Sequence, residues 1–277
     1  MSGRVVFIGA GPGDPELITV KGARHLQKAD VVLADRLASE AIVEAYAPQA
    51  QVILVGKQCR KGSSTPQETI NELMVHHARA GKYVVRLKGG DVSLFSNILD
   101  ELAILSETGI PYEIVPGITA ALGAAAYAGI PLTARGLSTA VRLLTYYKKE
   151  IVADDYWMEL AGTDDTLVFY MSAETLPLIV ERLTFYGIDR AKHLAIVQQA
   201  TTPAQHVATF DLYEYHQLQV KPKLASPSLV IIGNVVRLQE SFAWMPNAVT
   251  GVDYFTPVTG KVIAKSAEAM TAALLTA

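Results

Sequence analysis

Short hydrophobic runs recur along the first 115 positions, at 4–9, 30–35, 51–56, 83–88 and 112–115, each rich in β-branched or aromatic side chains. Runs of this length and composition predict strands. Between them the period changes. In QETINELMVHHARAG (67–81), Ile70, Leu73, Met74 and His77 fall on one face at helical spacing, and Gly81 is placed to end the helix as its C′ residue. Strands that alternate with amphipathic helices predict βαβ units and a mostly parallel sheet. From about residue 119 the spacing loosens. Strand candidates at 141–147, 166–171, 194–198 and 228–233 are separated by longer and more varied segments, and TPAQHVATFDLYEYH (202–216) reads as antiparallel strands. The expectation is an α/β protein of two domains, 1–118 with a mostly parallel sheet and 119–240 with a mixed one. A tail, 241–277, follows, and its last 15 residues read as an amphipathic helix.

Composition narrows the class. Half of the 277 residues are hydrophobic and 18% are charged, enough apolar surface for a full core. No run of about 18 apolar residues occurs and the N-terminus has no long apolar stretch, so the expected location is the cytoplasm, with no membrane span or export signal. With 24 Lys and Arg against 27 Asp and Glu, the net charge of −3 supplies no general field for nucleic acid. An anionic partner must then meet a local cluster of cations. The six histidines lack metal-ligand spacing, and the single cysteine, Cys59, cannot form an internal disulfide, so no metal site is expected.

The first strand runs into GAGPGDPE (9–16). In the dinucleotide fingerprint G-x-G-x-x-G, the third glycine lets the helix pack on its strand, and amides at the helix N-terminus face a pyrophosphate. Here the sixth position is Asp14. As an N-cap followed by Pro15 it uses one donor and puts negative charge where a phosphate would sit. The glycines still permit close backbone approach, so the loop is compatible with a plain tight turn or with a neutral or cationic nucleotide-like ligand such as S-adenosylmethionine. VVRLKGGDVSLF (84–95) repeats the theme with Gly89, Gly90 and Asp91, read either as a turn with a helix-capping acid or as a second binding loop. In open parallel sheets ligands bind at the carboxyl ends of strands, so the two loops are expected to line one crevice.

GAGPGDPELIT, ADRLAS, VGK with TPQETIN, VVRLKGGD, VPGITAALGAAAYAGIPLT, TLVFYM and SPSLVIIGNVV, in that order and spacing, resemble the tetrapyrrole methylases across roughly residues 4–240, most of all the uroporphyrinogen-III C-methyltransferases. The resemblance implies a two-domain α/β fold, a homodimer, and S-adenosyl-L-methionine folded into the cleft between the domains. It implies two successive methylations of uroporphyrinogen III to precorrin-2, in sirohaem or cobalamin synthesis. The alternatives are methylation of another tetrapyrrole and cofactor binding without catalysis. By position, Pro12, Gly89, Gly90, Asp91, Leu94, Thr119, Ala120, Met171 and Ala200 match cofactor contacts. Asp35 matches a proton acceptor, Lys57 a proton donor and Arg135 an arginine associated with the substrate.

The chain also departs from that pattern. After GGD, relatives continue with proline, phenylalanine and later FGRGGEE, where this chain has Val92, Ser93 and FSNILDE. On the substrate side, Asn97 replaces an arginine and Asp100 a glutamate. Ile98 and Leu99 replace glycines, which favours a regular helix. Ala200 stands where glycine is usual, and YYKK (146–149) replaces a glycine and a histidine. The carboxylates of such a substrate require a cationic lining, for which Arg135 is the first candidate. Arg36, Lys57, Arg60, Lys61, Arg86, Lys88, Arg142, Lys148 and Lys149 are the others.

Overall fold

The first strand, β1 (Arg4–Gly9), is buried beyond its first residue because both of its faces are covered: Val5 and Phe7 join one core cluster, Val6 and Ile8 another. The computed structural model describes residues 3–55, 65–146, 152–249 and 253–255, and among these the chain forms two five-stranded sheets. Contacts divide it into two units, one running to Thr119 and taking in Phe255, the other spanning Ala120–Tyr254.

In the first unit, β1, β2 (Val31–Ala34), β3 (Gln51–Leu54), β4 (Tyr83–Lys88) and β5 (Tyr112–Val115) form an all-parallel sheet in the order β3-β2-β4-β1-β5. On one face, α1 (Val20–Leu26) and α2 (Glu40–Tyr46) contribute Leu26, Ile42 and Val43 to the core. On the other, α3 (Gln67–Arg79) contributes Ile70, Leu73 and Met74, and α4 (Leu99–Glu107) contributes Leu105. Gly81 follows α3 at φ 80°, the left-handed C′ residue its sequence predicts, and His77 is half-buried with its pKa lowered by burial. The chain leaves β1 toward β2 but leaves β4 toward β5, in opposite directions along the sheet. Right-handed crossovers therefore send α1 and α4 to opposite faces, so the adjacent ends of β1 and β4 form the sheet's switch point, where ligands of such sheets bind.

The second unit opens with α5 (Ala120–Ala128) and builds a mixed sheet from β6 (Val141–Thr145), β7 (Thr166–Tyr170), β8 (His193–Gln198), β9 (His206–Asp211) and β10 (Ser228–Gly233). The order is β6-β7-β10-β8-β9, with β6 and β7 parallel and every other pair antiparallel. Trp157 and Leu160 of α6 (Asp154–Gly162), and Ile179, Val180 and Leu183 of α7 (Leu176–Phe185), pack into its core. Residues 202–216 supply one antiparallel strand, not several. After β9, Asp211 Oδ1 accepts from Tyr213 N at 2.8 Å and Glu214 N at 3.0 Å, and this N-cap turns the chain into α8 (Leu212–Gln217).

The last described helix is α9 (Gln239–Phe242). Residues 241–249 belong to the second unit: Trp244 Nε1 donates to Ala126 O at 2.8 Å, and Asn247 bonds the Val207 amide at 2.7 Å and its carbonyl at 2.9 Å. The final 15 residues lie outside the described ones.

Candidate active site

At the switch point the two glycine loops bond to each other. Gly90 N donates to Gly11 O at 2.8 Å, Gly11 N to Gly90 O at 3.1 Å, and Ala10 N to Lys88 O at 2.8 Å. Gly11 has φ 78° and Gly90 φ 69°, a backbone that glycine adopts without strain. The loop after β5 closes on them: a Cβ on Gly117 would stand 2.4 Å from Gly90 O, and one on Gly89 2.7 Å from Leu37 Cβ in the loop after β2. Three strand ends thus meet backbone to backbone, and Pro12, between the glycines, is buried against them.

Both acids of these loops turn inward to backbone amides. Asp14 caps a single 3-10 turn, Pro15–Leu17, its Oδ1 accepting from Glu16 N at 2.9 Å. The helix proper starts only at Val20, behind the Thr19 cap. No helix N-terminus follows the first glycine loop directly, so it lacks the phosphate cradle of a dinucleotide site. Asp91 caps no helix, contrary to that reading of it: α4 begins at Leu99 behind Ile98. Instead, Asp91 Oδ1 accepts from Ser93 N at 2.8 Å, and Oδ2 reaches across the sheet to Gly117 N at 2.9 Å. Burial opposes its charge, yet the hydrogen bonds from Ser93, Gly117 and Val92 hold its carboxyl below the usual carboxylate range.

Beside this corner, at the end of β2, stands Asp35. Its Oδ1 accepts from Arg86 Nη2 at 2.6 Å, and its Oδ2 is 3.9 Å from Lys88 Nζ. Arg86 and Lys88 alternate with Val85 and Leu87 and so point toward the α3/α4 face, where Glu101 of α4 receives Arg86 Nε at 2.9 Å and Lys88 Nζ at 3.2 Å. Burial disfavours the charge of Arg86, but Asp35 and Glu101 outweigh it and raise its pKa. Lys88 is held below the ordinary lysine range by burial and by the neighbouring Arg86 charge, against the pull of Asp35 and Glu101. Arg86 and Lys88 are therefore internal ion-pair partners rather than a cationic lining for the substrate. Arg142 is likewise engaged, with Asp165 and Glu159 at 2.6 Å each. The buried acid Glu101 escaped the sequence reading, although an acid four residues before the core residue Leu105 was its available signal.

In the second unit β7 and β8 run the same way with β10 between them, so their carboxyl ends share one edge. Met171 (φ 52°), Gln199 (φ 46°) and Thr201 (φ 66°) there adopt left-handed backbone, a strain of about 1–3 kcal/mol each that persists only where surroundings impose it. Pro227 O accepts from Gln199 N at 2.9 Å, Gln199 Oε1 from Tyr254 N at 2.6 Å, and Gln205 Oε1 from Thr201 N at 2.8 Å. Ala200 is buried between them, and Met171 is half-exposed. The Tyr170 hydroxyl accepts from Ala121 N at 3.0 Å, which ties the first turn of α5, opened by Ala120 after Thr119, to the residue before Met171.

The expected cofactor positions thus gather at two strand-end edges, Pro12 with Gly89–Asp91 in one unit and Ala120, Met171 and Ala200 in the other. The expected substrate residues are less gathered. Arg135 is exposed on a tight turn closed by Ala134 and Ser138. Asn97, at φ 49°, and Asp100 are exposed after β4, with Leu94 half-buried beside them. Lys57, Arg60, Lys61, Lys148 and Lys149 lie outside the described residues. Among the described residues no group of three or more His, Cys, Asp or Glu is placed to hold a metal, and no helix is long and apolar enough to cross a membrane.

Comparison with known proteins places this geometry. Residues 4–215 match the tetrapyrrole (corrin/porphyrin) methylases. A siroheme synthase from Pseudomonas fluorescens is 45% identical over 247 residues, covering 89% of this chain and 53% of that protein, so the chain spans about half the length of the curated relatives it matches. A uroporphyrin-III C-methyl transferase from Thermus thermophilus, solved with S-adenosyl homocysteine, superposes with a TM-score of 0.69 at 37% identity, over 85% of this chain and 99% of that one. A cobalt precorrin-4 methyltransferase of cobalamin biosynthesis gives a TM-score of 0.70 at 30% identity, over 84% and 95%. Both sheets, with their parallel and mixed pairings, are those of a known fold, and the chain belongs to the tetrapyrrole methylase family.

Proposed function

We propose that the chain is an S-adenosylmethionine-dependent C-methyltransferase that converts uroporphyrinogen III to precorrin-2 by two methylations. The observation that carries this reading is the Gly11–Gly90 corner at the switch point, whose two acids are spent on backbone amides. Such a corner offers no helix N-terminus to a phosphate and keeps two carboxylates beside the strand ends, which suits a sulfonium donor. The relative solved with S-adenosyl homocysteine supports the same cofactor. Pro12, Gly89, Gly90, Asp91, Leu94 and Thr119 are its proposed contacts in the first unit, and Ala120, Met171 and Ala200 those in the second. Asp91 also fixes the loop through Ser93 and Gly117.

In the reaction a ring carbon of the tetrapyrrole attacks the donor's methyl group, the carbon–sulfur bond breaks, and the substrate must lose a proton. Arg86 holds Asp35 Oδ1 in place, so Oδ2 is the oxygen assigned to accept that proton. Lys57 is the proposed proton donor, and Arg135 is the proposed partner for a substrate carboxylate.

A second reading within the family is methylation of a different tetrapyrrole. It is favoured by the segment after β4, where Asn97, Leu99 and Asp100 are all exposed and no arginine offers a carboxylate fork. Purified chain incubated with S-adenosylmethionine and enzymatically generated uroporphyrinogen III decides between them by mass spectrometry. A product carrying two added methyl groups is expected. No methylated product, together with methylation of a precorrin offered in parallel, selects the second reading. Calorimetric binding of S-adenosyl homocysteine without methylation of any tetrapyrrole removes both.

A further inference from the structure

We infer that Arg86, Lys88 and Glu101 form a buried charge balance that sets the basicity of Asp35, with Arg86 and Glu101 as its positioning residues. The inference rests on the reading of Asp35 as proton acceptor. Of the four side chains, Arg86, Lys88 and Glu101 are 2%, 5% and 0% exposed, whereas Asp35 is 26% exposed, so Asp35 is the one through which the group meets its surroundings. Two cations face two carboxylates. Arg86 spans both acids and anchors its own plane on Leu33 O at 3.2 Å, while Lys88 lies 3.2 Å from Glu101 and 3.9 Å from Asp35.

Stability alone is a poor reason for this arrangement, because a buried ion-pair group can often be replaced by well-packed apolar residues at no loss. Elsewhere β4 uses such residues: Val84, Val85 and Leu87 are fully buried. Its charges come only at 86 and 88, on the approach to the ligand edge. Among the described residues, Arg86 and Lys88 from β4 face Asp35, with Glu101 of α4 behind them. From α3 comes the neutral Gln67, whose Nε2 is 3.5 Å from Glu101 Oε1. Within this group, removing a cation raises the proton affinity of Asp35, and removing Glu101 leaves two cations on one carboxylate and lowers it.

The test is the pH profile of kcat/KM for methyl transfer in the full chain, with S-adenosyl homocysteine binding by calorimetry as the check that each variant is folded. Glu101→Gln is expected to move the acidic limb to lower pH, and Lys88→Met to move it to higher pH, each by about one pH unit. Arg86→Lys keeps the charge but loses the spanning geometry, so the limb stays near its original position while kcat falls. Limbs unmoved in both Glu101→Gln and Lys88→Met, with rates reduced equally at every pH, overturn the inference and leave a structural role. Should Glu101→Gln not fold, the direction of the Lys88→Met shift decides alone. Asp35→Asn at the original rate overturns the acceptor reading and this inference together. An inactive Asp35→Asn with unmoved limbs overturns only the inference.

Discussion

Gly117 shows how little room the corner has. A methyl group there would meet Gly90 O at 2.4 Å and Gly9 Cα at 2.7 Å, both backbone atoms that cannot swing away. Gly117→Ala is therefore expected to weaken S-adenosyl homocysteine binding at least tenfold, about 1.4 kcal/mol by calorimetry. Gly162→Ala, at a position where an added Cβ meets nothing within 4 Å, should leave binding unchanged. Asp91 carries a pH signature. Its folded pKa is depressed, against burial, by the bonds from Ser93 and Gly117, so its contribution is complete above the unfolded carboxyl value of about 3.9 and is lost as pH falls through the lower folded value. Asp91→Asn should then melt below the parent protein at pH 7, the loss being about 1–3 kcal/mol. The gap should close as both are acidified below about pH 4, as thermal denaturation across that range will show.

At the scale of elements, burial sets the cost of damage. Trp157 of α6 is fully buried and meets Tyr146 edge to face at 5.1 Å, so Trp157→Ala should cost about 3–5 kcal/mol in urea unfolding, while Trp157→Phe costs less. The strands were legible because each carries a short run rich in β-branched or other apolar residues, and the ends of those predicted fall within two residues of the hydrophobic segments. What sequence windows missed is long-range. Asp91 looks like a helix cap until its carboxylate is seen to bond Gly117, 26 residues on. Arg86 and Lys88 read as candidates for a cationic lining because their neutralising partner Glu101 lies 15 and 13 residues away, on the helix of the opposing layer. Asp211 was legible in principle as a cap, but the alternation around it favoured a strand. Leu99 does open a regular helix, whereas residues 92–98 turn irregularly and hold Phe95 and Asn97 in left-handed backbone.

For the whole molecule, each unit has its own core, and each presents strand ends to which cofactor residues are assigned. The family likeness leads us to expect a homodimer, and sedimentation equilibrium should return twice the 29.8 kDa chain mass; a monomer throughout the micromolar range would remove that expectation. The position of β10 bears on how the protein is made. It is the last strand of its sheet in sequence yet lies at the centre, between β7 and β8. Until the ribosome releases Ser228–Gly233, the nascent second unit is two ribbons with raw inner borders and unpaired amides on each. A stall or truncation just before that point should leave a chain prone to stick to its copies and dependent on chaperones, while the first sheet, complete by Val115, has long since closed.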